Sequence, residues 1–321
     1  MQHFRNVQDV PDIQALVDLA FACKQDPRHL HGLGTGKTLG MVMLNPSTRT
    51  RISTQLAAKH LGMEVVVFNA DKDGWALEFG EDVIMNGTTV EHIREAAPVF
   101  GAYFDVLGLR SFPALQDAAT DQSESILQQF VRYSGVPVVS LESATLHPLQ
   151  SLADLMTIQS LFQEKRKPRI ALSWAPHMKP LPHCVANSFA QWITAWGGAD
   201  FVIAHPEGYA LDPAYTAGAE IVHDQQKALE GADFVYVKNW SATEPYGTMP
   251  CSDPSWMLHL DRLNITNNAH VMHCLPVRRN LELGADILDS THSVVVQQAS
   301  NRVWAAQAVL SQLLNQTPEK A

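Results

Sequence analysis

The feature that most limits what this chain can become is the alternation, along its whole length, of short unbroken apolar runs with stretches of helical periodicity. The runs fall into two series: 38–44, 65–68, 105–109 and 136–140, then 169–174, 201–204, 234–237, 270–273 and 293–296. Helical patterns lie between them, among them 52–60, 151–162 and 227–230. A run without polar alternation must be covered on both faces, and a parallel sheet flanked by helices does this. The chain has 321 residues, more than one hydrophobic core usually serves. The prediction is an α/β protein of two domains, each a parallel sheet flanked by helices, with a cleft between them. The first domain is placed at 1–147 and the second at 148–300, with the charged segment 164–168 as a surface turn. A last helix is predicted over 301–314, with Val303, Ala306, Val309, Leu310 and Leu313 on one face that needs a partner. Residues 301–321 are expected to pack back on the first domain.

Ligands of open parallel sheets collect at the carboxyl ends of strands, so residues just after the runs carry most weight. Asn45-Pro46-Ser47-Thr48-Arg49-Thr50-Arg51 follows the first run and opens a helix that Gly62 is placed to stop. Hydroxyls and backbone N–H groups at a helix start bind anions, and the helix dipole adds positive potential. Arg49 and Arg51 add charges able to grip phosphate through paired hydrogen bonds. A serine cap alone would be ordinary. Five consecutive residues of this kind at a strand–helix junction point to phosphate.

Composition removes several classes. The formal net charge of −10 opposes nucleic-acid binding, which needs clustered Lys and Arg. Cys23, Cys184, Cys251 and Cys274 form no CxxC pair, which predicts reduced thiols. The start of the chain lacks an apolar signal core, and no run is long enough to span a bilayer. A cytoplasmic protein without membrane partners is expected. The fourteen histidines include no HExxH, so neither a metal nor another cofactor is expected. Gly32-Leu33-Gly34-Thr35-Gly36-Lys37-Thr38 looks like a nucleotide P-loop, but His31 stands where that pattern needs glycine. It also precedes a run rather than following one. Its glycines do not complete GxGxxG, which weakens a nicotinamide dehydrogenase reading.

Ser47–Arg51 is followed in order by His147-Pro148-Leu149-Gln150 and His273-Cys274-Leu275-Pro276. With these three motifs essentially the whole chain resembles the transcarbamylase family, whose carbamoyl-phosphate signature is Ser-x-Arg-Thr-Arg. The resemblance implies that Ser47, Thr48, Arg49 and Thr50 hold the phosphate and that Arg302 completes the cationic cage. It directs Arg110 and His147 at the carbamoyl oxygen, Gln150 at the carbamoyl amide, and backbone groups of Cys274 and Leu275 at the same moiety. Arg110, His147 and Cys274 are thus the expected catalytic set. Trp75, in the turn from Asp71 to Trp75, matches a loop residue that in this family reaches a neighbouring subunit's site. A homotrimer with shared active sites follows from the resemblance.

Carbamoyl transfer needs no covalent enzyme intermediate. A neutral amine attacks the carbonyl, an oxyanion develops and phosphate leaves, so positioning and electrostatic stabilisation suffice. The chain shows no dedicated base, and the substrate's phosphate oxygens are the expected proton acceptor. The acceptor amine is read from Lys238-Asn239-Trp240-Ser241-Ala242. Ornithine enzymes of the family carry Asp-x-Trp-x-Ser-Met there, the Asp pairing with the free α-ammonium. A lysine would repel that ammonium and attract the α-carboxylate of an Nα-acylated ornithine. Trp174–His177, His205–Tyr209 and Val277–Asn280 also resemble the acylornithine branch, and most nearly its succinylornithine enzymes. The resemblance assigns Glu142, His177, Lys238 and Arg278 to the acylornithine. Val90 stands where the acetylornithine enzymes have Glu and the succinyl enzymes typically have Pro. It removes a charge that would repel a succinyl tail. Acetylornithine, and then ornithine, are the alternative acceptors. A non-catalytic clamp for a phosphorylated metabolite is the rival of another class, and it would not need Gln150, His147 and Cys274-Leu275 together.

Overall fold

The two series of apolar runs become two parallel sheets in the computed structural model, which describes residues 1–70 and 72–315. Asp71 of the Trp75 turn, and 316–321 of the returning segment, lie outside the described residues. In chain order the strands are β1 (Thr38–Met43), β2 (Glu64–Asn69), β3 (Leu77–Glu78), β4 (Glu91–His92), β5 (Val106–Arg110) and β6 (Val138–Glu142). Then come β7 (Arg169–Trp174), β8 (Asp200–Ala204), β9 (Glu220–Val222), β10 (Phe234–Lys238) and β11 (His270–Met272). The helices of the first half are α1 (Ile13–Gln25), α2 (Thr48–Leu61), α3 (Ile93–Tyr103), α4 (Ala118–Gln122) and α5 (Ser125–Tyr133). The rest are α6 (Pro148–Leu161), α7 (Cys184–Trp196), α8 (Pro213–Thr216), α9 (Gln225–Leu229), α10 (Ala285–Leu288) and α11 (Val295–Leu314).

The chain divides into two compact units: 1–113, 119–149 and 302–321 in the first, 114–118 and 150–301 in the second. The sheet of the first unit has the order β2-β1-β5-β6, every pairing parallel. Its core joins Val42, Ile93, Ala97, Leu107, Leu109, Phe130 and Val138. Gly40 interrupts β1 because the Phe104 ring lies where a side chain would project. The sheet of the second unit has the order β11-β10-β7-β8-β9, again all parallel. Large buried aromatics fill it, with Trp174 donating to the Trp240 carbonyl and Trp240 to that of Tyr209.

Each sheet has one point where the chain reverses its direction of winding. In the first it lies between β1 and β5, and in the second between β7 and β10. Such switch points leave a crevice at the carboxyl ends of the two strands. The residues there are 44–47 and Arg110 in the first unit, and 175–177 and Lys238 in the second.

The predicted strand at 293–296 does not form. Ser293 makes one isolated bridge to Val271, and α11 starts at Val295, six residues before the predicted helix. Three consecutive valines read as a strand, yet Val295, Gln298, Asn301 and Arg302 are buried while Val296 is 76% exposed, which is a helical period. Arg302 therefore sits two turns into the helix, not at its start. The later turns of α11 belong to the first unit, burying Ala306, Val309, Leu310 and Leu313, with Val303 half-buried. Trp304 stacks on His60 of α2 at 5.4 Å, and Gln307 bonds both His60 and the Pro27 carbonyl. Sequence reading also missed β9, whose three residues are too short to show a pattern.

Candidate active site

In the first unit the phosphate motif leaves β1 and enters α2 as expected. Ser47 is the N-cap in extended conformation, its Oγ accepting the Thr50 N–H at 3.4 Å and donating to Thr50 Oγ1 at 3.0 Å. Gly62 closes the helix with φ 85°. Arg302 donates to Thr50 Oγ1 at 2.8 Å and lies 3.3 Å from His147 Nε2. Arg110, the last residue of β5 rather than the first beyond it, pairs with Glu142 at the end of β6. Glu142 also approaches His147 Nε2 at 3.4 Å. Thr50, Arg110, Glu142, His147 and Arg302 are all buried, so five residues spread from 50 to 302 form one connected group.

The group is rich in positive charge. Burial pushes His147 down to about 3; the Glu142 carboxylate opposes this, while the Arg302, Arg110 and Arg49 charges reinforce it. The imidazole is therefore neutral at ordinary pH, and its Nδ1 is buried without a protein partner among the described residues. Three guanidinium groups surround it against a single carboxylate. Such an excess of buried positive charge suits an anion carrying more than one charge. Trp75 and Val90 stand outside this group, 55% and 64% exposed, on neighbouring parts of one loop. Trp75 Nε1 donates to Glu91 at 2.8 Å, and the Val90 N–H to the Ala76 carbonyl.

In the second unit Gln150 lies in the first turn of α6, buried, with Nε2 donating to Asp154 at 2.8 Å. The turn after β11 carries His273, Cys274 and Leu275. His273 Nδ1 accepts the Leu275 N–H at 2.9 Å, so the carbonyl is the Leu275 backbone group left to serve a ligand. Leu275 holds a left-handed conformation at φ 57°, and Cys274 is buried beside Tyr236. His273 Nε2 faces Glu282 at 3.3 Å. Burial opposes the charge on Glu282, but the His273 bond, the Lys238 charge and the Arg278 N–H outweigh it and hold the carboxyl at about 2.

Lys238 ends β10 and is buried, with Nζ donating to the Asn239 carbonyl at 2.9 Å. Asn239 in turn bonds the Ala175 carbonyl, which ties the ends of β10 and β7 together. His177, after β7, accepts from Arg278 Nε at 3.1 Å and bonds the Lys179 carbonyl. Burial depresses its pKa, helped by the charges of Lys238 and Arg278 and opposed by the Lys179 bond and Glu282. Lys238 and Arg278 thus bring two positive charges to bear on an imidazole that burial disfavours from joining them. Sequence reading missed Asp154, Gln298 and Glu282. The four-residue spacing of Gln150 and Asp154 along a helix was a usable signal; Glu282 offered none.

Two family descriptions match the chain: aspartate/ornithine carbamoyltransferase, carbamoyl-P binding domain, over residues 2–160, and the Asp/Orn binding domain of the same family over 183–313. The N-succinylornithine carbamoyltransferase of Bacteroides fragilis is 45% identical, covering 99% of this chain and 100% of that protein. The N-acetylornithine carbamoyltransferase of Xanthomonas axonopodis pv. citri is 34% identical, over 98% and 97%. Among solved structures, an N-acetyl-L-ornithine transcarbamylase with one glutamate replaced by valine, complexed with carbamyl phosphate and N-succinyl-L-norvaline, is similar. Its TM-score is 0.90 at 34% identity, covering 98% of this chain and 100% of that one. The chain belongs to the aspartate/ornithine carbamoyltransferase family and is a carbamoyltransferase.

Proposed function

We propose that the enzyme carbamoylates the side-chain amine of N-succinyl-L-ornithine, yielding N-succinylcitrulline and phosphate, as a step of arginine biosynthesis. The observation that carries the acceptor is Lys238: a buried ammonium at a strand end, beside His177 and Arg278, where a free α-ammonium would be repelled. It suits the α-carboxylate of an acceptor whose nitrogen is blocked. Val90 supports the succinyl tail, because it carries no charge to repel a second carboxylate and is smaller than the glutamate it replaces. The Bacteroides fragilis relative bears that activity in its name. An acetylornithine enzyme with a glutamate replaced by valine, the residue type this chain carries at position 90, is complexed with N-succinyl-L-norvaline, which supports the succinyl reading further.

In this reading Ser47, Thr48, Arg49, Thr50 and Arg302 bind the phosphate of carbamoyl phosphate. Arg110, Thr50 and the neutral His147 donate to the carbamoyl oxygen as it gains charge. The Gln150 oxygen accepts from the carbamoyl NH₂, as do the backbone carbonyls of Cys274 and Leu275. Glu142, released from Arg110, joins His177, Lys238 and Arg278 in holding the acylornithine. The amine attacks, the tetrahedral centre collapses, and the departing phosphate takes up the proton. The enzyme works as a homotrimer in which Trp75 completes the site of a neighbouring subunit.

Turnover of N-succinylornithine, N-acetylornithine and ornithine by one preparation tests the acceptor. Fastest turnover on ornithine would overturn the acylornithine reading, and fastest turnover on the acetyl compound only the succinyl one. Val90→Glu is expected to lower kcat/KM for the succinyl compound at least about tenfold while sparing the acetyl compound.

A further inference from the structure

We propose that Asp154 is the positioning residue for recognition of the donor's amide, setting the orientation of Gln150 and, through Gln298, anchoring the turn of Cys274 and Leu275. This rests on the reading that Gln150 binds the carbamoyl NH₂.

Asp154 is fully buried on α6, one turn beyond Gln150. Its Oδ1 accepts from Gln150 Nε2 at 2.8 Å and from Gln298 Nε2 at 2.7 Å. A carboxylate only accepts, whereas a glutamine amide has a donating and an accepting end that can exchange by a flip. Facing one carboxylate oxygen, both glutamines must present their NH₂ groups and turn their oxygens elsewhere. The Gln298 oxygen accepts the His273 N–H at 2.9 Å. The Gln150 oxygen is buried with no protein partner among the described residues.

The consequence is chemical selection. A carbamoyl group presents NH₂ where an acetyl group presents methyl. With Gln150 held oxygen-first, the amide end of carbamoyl phosphate meets an acceptor. If Gln150 flips, donor meets donor and the preference for NH₂ over methyl is lost. The same carboxylate secures the backbone carbonyls of Cys274 and Leu275, since Gln298 links it to the start of their turn.

The test is the ratio of Ki for acetyl phosphate, as a competitor of carbamoyl phosphate, to KM for carbamoyl phosphate. It is measured in Gln150→Ala, Asp154→Leu, Asp154→Asn and the Gln150→Ala/Asp154→Leu pair, with melting curves to confirm folding. Asp154→Ser replaces Asp154→Leu if the latter does not fold. Gln150→Ala is expected to shrink the ratio at least about tenfold by removing the acceptor. Asp154→Leu should shrink it comparably. Asp154→Asn, whose oxygen can still accept from both glutamines, should restore most of it, and in the Gln150→Ala background Asp154→Leu should cost clearly less than it does alone, because only its hold on the Cys274–Leu275 turn remains to be lost. A merely structural Asp154 would lower stability and leave the ratio in place. A wild-type ratio in folded Asp154→Leu, or an equal effect with and without Gln150, overturns the proposal. An unchanged ratio in Gln150→Ala overturns the reading of Gln150, and the proposal with it.

Discussion

Single side chains in the first unit act as a charge assembly. Arg49, Arg110 and Arg302 crowd a buried imidazole, and Glu142 offsets part of their charge. Arg302→Gln should therefore reduce kcat/KM by about 100- to 1000-fold, the usual cost of one donor to a developing anion, with little change in melting temperature. His147 affects acid stability as well. The unfolded chain gains a proton at this histidine near 6.5, and the folded chain refuses it until about 3. The unfolded form thus binds more protons within that window, and stability falls as the pH drops through it. One such group adds at most about 1.4 kcal/mol per pH unit. His147→Gln should flatten the fall by up to that slope, read from urea unfolding at a series of pH values. An unchanged slope would mean that the folded protein protonates His147 readily.

At the scale of elements, two glycines separate conformational strain from steric conflict. Gly62 ends α2 with φ 85°, and a side chain there would meet nothing closer than 3.6 Å. Gly62→Ala should cost about 1 kcal/mol, from backbone conformation alone, and leave kcat within about twofold of wild type. Gly101 in α3 has ordinary helical geometry, but an added methyl would run into the Ser134 carbonyl at the end of α5. Gly101→Ala should cost about 1–3 kcal/mol because two helices must move apart. Chemical denaturation of both variants checks the order. A larger loss at Gly62 would reverse the assignment.

For the whole molecule, the sharing of sites is the property to test. Arg49→Ala removes a proposed phosphate ligand from the subunit that bears it, and Trp75→Ala removes the loop residue expected to serve a neighbour. Each homogeneous variant should be nearly inactive. Mixing them after dissociation and reassembly should recover activity, because some sites then draw an intact Arg49 and an intact Trp75 from different chains. Sedimentation of the mixture at three times the subunit mass would accompany the recovery; monomers with no recovery would remove both the trimer and the shared site.

The sequence by itself determined the parallel α/β class, the start of α2 with its Ser47 cap and Gly62 stop, and the sign of charge at Lys238. These depend on periodicity, on residue type at a junction and on formal charge, all of which act over a few neighbouring residues. Only the tertiary structure decided which distant groups meet. Arg110, Glu142, His147 and Arg302 converge because β5, β6, α6 and α11 end or pass at one place. The link from Gln150 through Asp154 and Gln298 to His273 spans more than a hundred residues. The valines at 294–296 show the limit most plainly. Their β-branched side chains favour a strand, yet burial of Val295, Gln298, Asn301 and Arg302 made them the start of a helix. Local preference amounts to tenths of a kcal/mol per residue, and tertiary packing of one face outweighs it.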